Sequence, residues 1–210
     1  MKIGVIQAST QKSKNKIIED CLCQAISQDY DQIINFGVYD NANENMSYIQ
    51  IALCISLLLE SNSIDFIITG CSSGQGMMLA CNSLPGVICG YVENITDAYL
   101  FGRINNGNAI SYPLGFNWGW GAELNLKETL RVLFDEPFGI GYPKEHADRK
   151  IKDTEQLKKI NKICKKDLAE VLPMLDKDIV ESVLNYNTVY DYIMEYGTNE
   201  ELKNVMRKLR

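Results

Sequence analysis

Along the first 136 residues, short apolar runs of strand character alternate with longer stretches of helical period. Residues 2–6 (KIGVI) predict a strand, and 13–28 predict a helix with Ile17, Ile18, Leu22, Ala25 and Ile26 on its apolar face. A second strand is expected at 33–38 (IINFGV), then a loop rich in Asn and Asp at 40–45, then a helix from about Ser47 to Asn62. Apolar positions nearly surround that helix, which predicts deep burial. Residues 65–69 (DFIIT) are the most strand-like of all. They lead into Gly70-Cys-Ser-Ser-Gly-Gln-Gly76 and a helix of small and apolar residues at 77–83. Strands at 86–92 and 108–112, a short helix at 96–104 between them, and a helix at 121–134 complete the alternation.

Repeated β–α alternation of this length implies a parallel sheet covered by helices on both faces. We therefore expect one α/β domain over 1–150. Past Gly141-Tyr-Pro143 the character changes. Residues 151–210 are dense in Lys and Glu, with Leu157, Ile160, Ile163 and Cys164, then Leu168, Val171 and Leu172, at helical spacing. Pro173 should end or kink that helix, and further helices are expected at 176–186, 188–196 and 199–208. Sixty residues make a marginal core alone, so this extension should pack on the core or on a second subunit.

Composition narrows the function. The chain has 210 residues, 46% hydrophobic and 23% charged, with a formal net charge of −6. That balance argues against a nucleic-acid surface, which needs a clustered basic face, but leaves room for a small anionic substrate. The start lacks the features of a signal peptide, and no run approaches ~18 apolar residues, so a cytoplasmic protein without a membrane span is expected. The seven cysteines are an odd number and sit mainly in apolar periodic segments, as reduced core thiols would. Cys21-Leu-Cys23 lacks the second ligand pair of a zinc site, so no metal is expected.

The loop after the third strand carries the chemistry. In open parallel sheets, ligands bind beyond the carboxyl ends of the strands. Gly74 and Gly76 permit close backbone approach. The following helix presents free N–H groups and a dipole that favours negative charge, which should also favour the thiolate of Cys71. One loop then supplies a base and oxyanion donors, the pairing an enolisation needs. The loop matches neither the dinucleotide fingerprint nor the P-loop. Read on its own, Cys71 could equally be a small buried hydrophobe.

These residues, taken in order, resemble the ribose-5-phosphate isomerase B and galactose-6-phosphate isomerase family. The likeness spans about 1–145: the Met-Lys-Ile start, Asn35-Phe-Gly37, Ser47-Tyr48, Cys71-Ser-Ser-Gly-Gln-Gly76, Asn82 with Pro85-Gly86, and Asn105-Asn-Gly-Asn108. The resemblance implies a Rossmann-like α/β/α sandwich with a five-stranded parallel sheet. It also implies a homodimer or dimer of dimers with sites at the subunit boundary, and a cis-enediolate mechanism that uses neither metal nor cofactor. Cys71 then matches the family's base and Ser73 its loop threonine. The amides around Ser72, Gly74, Gln75 and Gly76 match its oxyanion pocket, and Tyr48 and Asn105 its substrate contacts.

Three departures stand out. Ile104 replaces the ring-opening histidine. Gln7-Ala-Ser9 replaces the first-strand aspartate. Lys144, His146 and Arg149 occupy the place of the basic phosphate-gripping tail. A site without that histidine suits an open-chain substrate. With Gly119-Trp-Gly-Ala-Glu-Leu124, this points to a longer branch that looks like bacterial isomerases of 4-deoxy-L-threo-5-hexosulose uronate, a carboxylate replacing the phosphate. Asn108 is read as a ligand contact or a loop residue. Arg103 is an anion partner or a surface ion pair. Trp118 and Trp120 either wall the pocket or pack helix on sheet, and His146 is expected to be solvated. A phosphorylated pentose, hexose or tetrose is the alternative substrate. A sugar-binding protein without catalysis and a flavodoxin-like cofactor or nucleotide binder are readings from other classes.

Overall fold

The computed structural model describes residues 1–26, 31–116 and 118–210. Among them, five parallel strands form one sheet: β1 (Lys2–Ile6), β2 (Gln32–Gly37), β3 (Phe66–Cys71), β4 (Cys89–Tyr91) and β5 (Ala109–Pro113), in the order β2-β1-β3-β5-β4. β3 is buried along its whole length. Its neighbours are parallel on both sides, Val5 opposite Ile68 and Cys71 opposite Pro113. The continuous apolar run at 66–68 reflects that two-sided burial.

Ten α-helices lie among the described residues: α1 (Asn15–Ala25), α2 (Tyr48–Glu60), α3 (Gln75–Ser83), α4 (Ile95–Leu100), α5 (Ala122–Phe134), α6 (Ala147–Cys164), α7 (Leu168–Val171), α8 (Lys177–Leu184), α9 (Asn187–Tyr196) and α10 (Glu200–Leu209). Side chains of β1 and β3 divide between two cores. Ile6, Ile67 and Cys71 face α2 and α3, while Val5, Ile68 and Ile110 face α1 and α5. α2 is buried almost all round because α8 and α9 pack on the side that α3 and the sheet leave open. Val180, Val183, Val189, Ile193, Leu202 and Met206 belong to the same core as α2, so the last 35 residues are continuous with the α/β domain.

Several expectations need correction at their edges. The predicted 13–28 helix begins as a 3-10 turn at Ser9–Lys14 and is α-helical only over Asn15–Ala25; its last predicted residues, 27 and 28, lie outside the described residues. The strand expected at 86–92 shrinks to three residues, since Gly86 has a φ of +70° and Asn108 ties the segment before it. The 96–104 helix is α-helical to Leu100 and then widens into a π-helical turn, Phe101–Asn105. The helix of the extension ends at Cys164, well before Pro173, which sits in a 3-10 turn. Of the seven thiols, Cys23 is half-buried and Cys164 exposed, so these two are not core.

Candidate active site

The order β2-β1-β3 means that the chain leaves β1 in one direction and returns to its other side. A crevice therefore opens between the carboxyl ends of β1 and β3, where ligands bind in open α/β sheets. A cavity of about 520 Å3 lies there. One wall comes from the loop after β1 (Ala8, Thr10), one from the start of α2 (Met46 to Tyr48), and one from Cys71, Ser72, Ser73 and Gly76.

Cys71 is the last residue of β3 and 9% exposed, yet its side chain lines this cavity. Packing thus holds the sulfur from behind while leaving it reachable from the crevice. The backbone around it is pinned. Its carbonyl accepts from Leu114 N at 2.9 Å, and the Gly70 carbonyl accepts from Ala8 N at 3.1 Å. Gly70 has no room for a side chain, because a Cβ would stand 2.3 Å from the Tyr112 carbonyl oxygen.

The turn into α3 runs through Gly74, at a φ of +74°, whose carbonyl accepts from Ser111 Oγ at 2.6 Å. The first intrahelical bond is Met78 N to Gly74 O. The amides of Gln75, Gly76 and Met77 therefore precede any helical acceptor and form the positive end of the helix. Gly76 lets the Tyr48 ring lie close, with ring atoms 3.7 Å from where its Cβ would be. Tyr48 itself is set by a capping box, in which Ser47 Oγ accepts from Gln50 N and Gln50 Oε1 accepts from Ser47 N. Gln11 Nε2 donates to Ser72 Oγ at 2.9 Å, joining the β1 loop to the Cys71 loop.

So Tyr48, Cys71, Ser72, Ser73 and Gly76 come together, with Gly74 and Gln75 shaping the same turn. The other expected residues do not join them. Residues 101–108 feed the amino end of β5, whereas Cys71 pairs with Pro113 at its carboxyl end, ~13 Å along the strand. Arg103 is fully buried, and its Nη2 donates to the Val132 and Leu133 carbonyls. Asp135 and Glu136 stand at 3.8 and 3.7 Å, and Tyr99 and Phe138 flank the guanidinium. Arg103 is therefore a buried cation, paired with carboxylates that reach the surface, that clamps the π-helical turn to the end of α5.

Asn108 is likewise committed, donating to the Gly86 carbonyl and accepting from Ile88 N, so the loop reading holds over the ligand reading. Asn105 and Lys144 are exposed in one corner at the sheet's amino end. The bonds Gly141 N to Arg103 O and Thr154 Oγ1 to Ile104 O gather them there. Trp118 packs edge-on against Tyr112, Trp120 is fully exposed, and His146 is exposed. Burial pushes the Cys21 thiol up to about 11, and it donates to the Glu123 carbonyl.

Thr10, Asn45 and Met46 were missed as lining residues. The signal that finds them is topological: once β1 and β3 flank the switch point, the segments just past β1 and before α2 must wall the crevice.

The family model described as ribose/galactose isomerase matches residues 4–149. A solved 4-deoxy-L-threo-5-hexosulose-uronate ketol-isomerase, complexed with a tartrate, is 38% identical over 100% of this chain and 99% of its own, with a TM-score of 0.95. A ribose-5-phosphate isomerase from Vibrio parahaemolyticus is 31% identical over 100% of this chain and 99% of its own, with a TM-score of 0.94. The type B ribose 5-phosphate isomerase of Trypanosoma cruzi, 16% identical, covers 77% of this chain with 98% of its own at a TM-score of 0.60, a likeness of fold alone. No match was found among curated proteins.

Proposed function

We propose a substrate and a mechanism for this chain, which belongs to the ribose/galactose isomerase family: it converts 4-deoxy-L-threo-5-hexosulose uronate to its ketose isomer through a cis-enediolate, with Cys71 as the base. That the chain is an aldose–ketose sugar isomerase follows from the family match and the two full-length relatives. The observation that carries the mechanism is the Cys71 sulfur at the floor of the crevice, beside the unbonded end of α3.

The chemistry balances with groups of the chain alone. The Cys71 thiolate takes the proton from the carbon next to the substrate carbonyl, and the electron pair moves onto the carbonyl oxygen. The amides of Gly74 to Met77 and the Ser73 hydroxyl stabilise the resulting enediolate. The Cys71 thiol then returns the proton to the former carbonyl carbon, while the hydroxyl proton passes between the two oxygens. No cofactor enters these steps. A reducing, cytoplasmic setting keeps Cys71 unoxidised.

Two features favour the open-chain uronate. Ile104 stands where a ring-opening histidine is expected, and its own carbonyl is used by Thr154. The relative that shares 38% of this sequence is a ketol-isomerase of that uronate, solved with tartrate, itself a hydroxylated carboxylate. A sugar phosphate is the second reading, supported by the ribose-5-phosphate isomerase at 31% identity.

Asn105 and Lys144 reach a Cys71 site only if they come from another copy, since their own lies across the sheet. We therefore propose a homodimer, alone or paired into a dimer of dimers, in which each copy completes its partner's crevice and Lys144 meets the substrate anion. The exposed stripe Leu157, Ile160 and Ile163 on α6 supports a second copy covering that helix. Purified protein assayed on the uronate, ribose 5-phosphate, galactose 6-phosphate and allose 6-phosphate tests the reading. The uronate should have the highest kcat/KM by at least ~100-fold, and a preference for any phosphate would overturn it.

A further inference from the structure

Isomerisation of an aldose moves two protons, one between neighbouring carbons and one between the oxygens they bear. A thiolate serves the first. The second needs a group that donates and accepts together, as a hydroxyl does.

Ser72 offers such a group. It is exposed, follows Cys71 directly and lines the same crevice. Its Oγ accepts from Gln11 Nε2 at 2.9 Å, and among the described residues the Ser72 hydroxyl donates to no acceptor. A hydroxyl that accepts from an N–H cannot aim its own proton back at that N–H. The Ser72 proton is therefore turned away from Gln11. Ser72 lines the crevice and Gln11 does not, so the side left open to that proton is the crevice.

Gln11 is held where it can do this. The loop after β1 is tied to three other segments. Ala8 N donates to the Gly70 carbonyl at 3.1 Å, Ser9 Oγ accepts from Met46 N at 2.6 Å, and Lys12 Nζ donates to the Ala42 carbonyl at 3.1 Å. Within the 3-10 turn Gln11 alone departs from helical geometry, at φ −122° and ψ 21°, while its N donates to the Ala8 carbonyl at 2.9 Å. Its side chain thus reaches from the β1 side of the crevice to the β3 side. The contact with Ser72 is exposed, and an exposed hydrogen bond contributes little to stability.

We propose that Gln11 is a positioning residue for Ser72, and that the Ser72 hydroxyl relays the proton between the two substrate oxygens. Once Cys71 has taken the carbon-bound proton, Ser72 gives its proton to the former carbonyl oxygen and takes the proton of the neighbouring hydroxyl. Two O–H bonds break, two form, no electrons are gained or lost, and the serine ends as it began. The inference rests on the crevice being the isomerase site, whichever anionic sugar it takes.

It is tested on the full-length protein, with the sugar it turns over fastest, by measuring kcat, KM and melting. The variants are Gln11→Ala, Gln11→Glu, Ser72→Ala and the two Gln11 substitutions combined with Ser72→Ala. Gln11→Ala and Ser72→Ala should each lower kcat at least ~10-fold, with an unchanged melting profile. KM should move by less than ~2-fold in both. Gln11→Glu keeps a hydrogen bond to Ser72, but a carboxylate only accepts, so it draws the Ser72 proton out of the crevice. That variant should lose at least as much kcat as Gln11→Ala, whereas a mere tether would survive the change. With Ser72→Ala in place, neither Gln11 substitution should cost more than a further ~2-fold. Wild-type kcat in either alanine variant or in Gln11→Glu, or losses that multiply in the double variants, would overturn the proposal. Cys71→Ala separates this inference from the base assignment. Full turnover in Cys71→Ala removes the base; an inactive Cys71→Ala beside fully active Gln11 and Ser72 variants removes the relay alone.

Discussion

Cys71 owes its place to one alternation step of β3: side chains of Ile67 and Cys71 point to the α2–α3 side, and the last of them clears the sheet's end. Its neighbours in sequence made that legible, because Gly74 and Gly76 only make sense at a strand-to-helix turn. Arg103 and Asn108 were not legible in the same way. A strong cation beside a suspected anion site, and an Asn before a strand, each leave a ligand contact and a structural role open until the partners are seen. Those partners, the Leu133 carbonyl and the Gly86 carbonyl, are backbone atoms that no sequence pattern advertises. Asn108→Ala should therefore cost ~1–3 kcal/mol of stability by denaturant unfolding, since it strands Ile88 N and the Gly86 carbonyl. Its substrate KM should change little. Arg103→Ala should destabilise by ~2–4 kcal/mol, through lost packing and orphaned carbonyls. A large rise in KM with unchanged stability would return Arg103 to the substrate.

The turn joining β3 to α3 is the element on which the site depends. Gly74 combines a φ of +74° with close neighbours: an added Cβ would lie 2.9 Å from Tyr91 Cε2 and 3.0 Å from Pro113 N. Gly74→Ala must either shift the turn or push β5 away, and it should lower kcat by at least ~10-fold while costing ~1–3 kcal/mol. Measuring both on one preparation checks whether the turn is a catalytic element. An active, strained variant would mean that the α3 amides are not the oxyanion donors. Element types were readable from periodicity, and the ends were not. α4 gives way to a π-helical turn because Arg103 is drawn under α5, and α6 stops at Cys164 rather than at Pro173. The Arg103 contact at the first of these ends is a tertiary one that local pattern does not encode.

At the scale of the molecule, the residues expected at one site fall at opposite ends of the sheet. The Cys71 crevice lies at the carboxyl end of the sheet, while Asn105 and Lys144 lie at the amino end with the start of α6. The sequence placed all of these in one motif set, and the linear order could not reveal that the sheet separates them. If two copies exchange these halves, Cys71→Ala and Asn105→Ala, each inactive alone, should recover about a quarter of wild-type activity when mixed after unfolding and refolding together. No recovery would confine the site to a single copy. Replacing Leu157 and Ile160 on the exposed α6 stripe by Glu should shift the protein toward monomer in sedimentation and cut activity at least ~10-fold, with Cys71 untouched. An unchanged oligomeric state would leave that stripe without the role given to it.

The most direct test of the account is proton exchange at the substrate carbon next to the carbonyl, followed by NMR in deuterated water on the 4-deoxy-L-threo-5-hexosulose uronate. Wild-type protein should exchange that proton during turnover, placing deuterium at the former carbonyl carbon of the product and, by return, at this carbon of the substrate. Cys71→Ala, folded and with an unchanged melting profile, should place none above the uncatalysed rate, a loss of at least ~1000-fold. Exchange by that variant at the wild-type rate would contradict the assignment of the thiolate as the base.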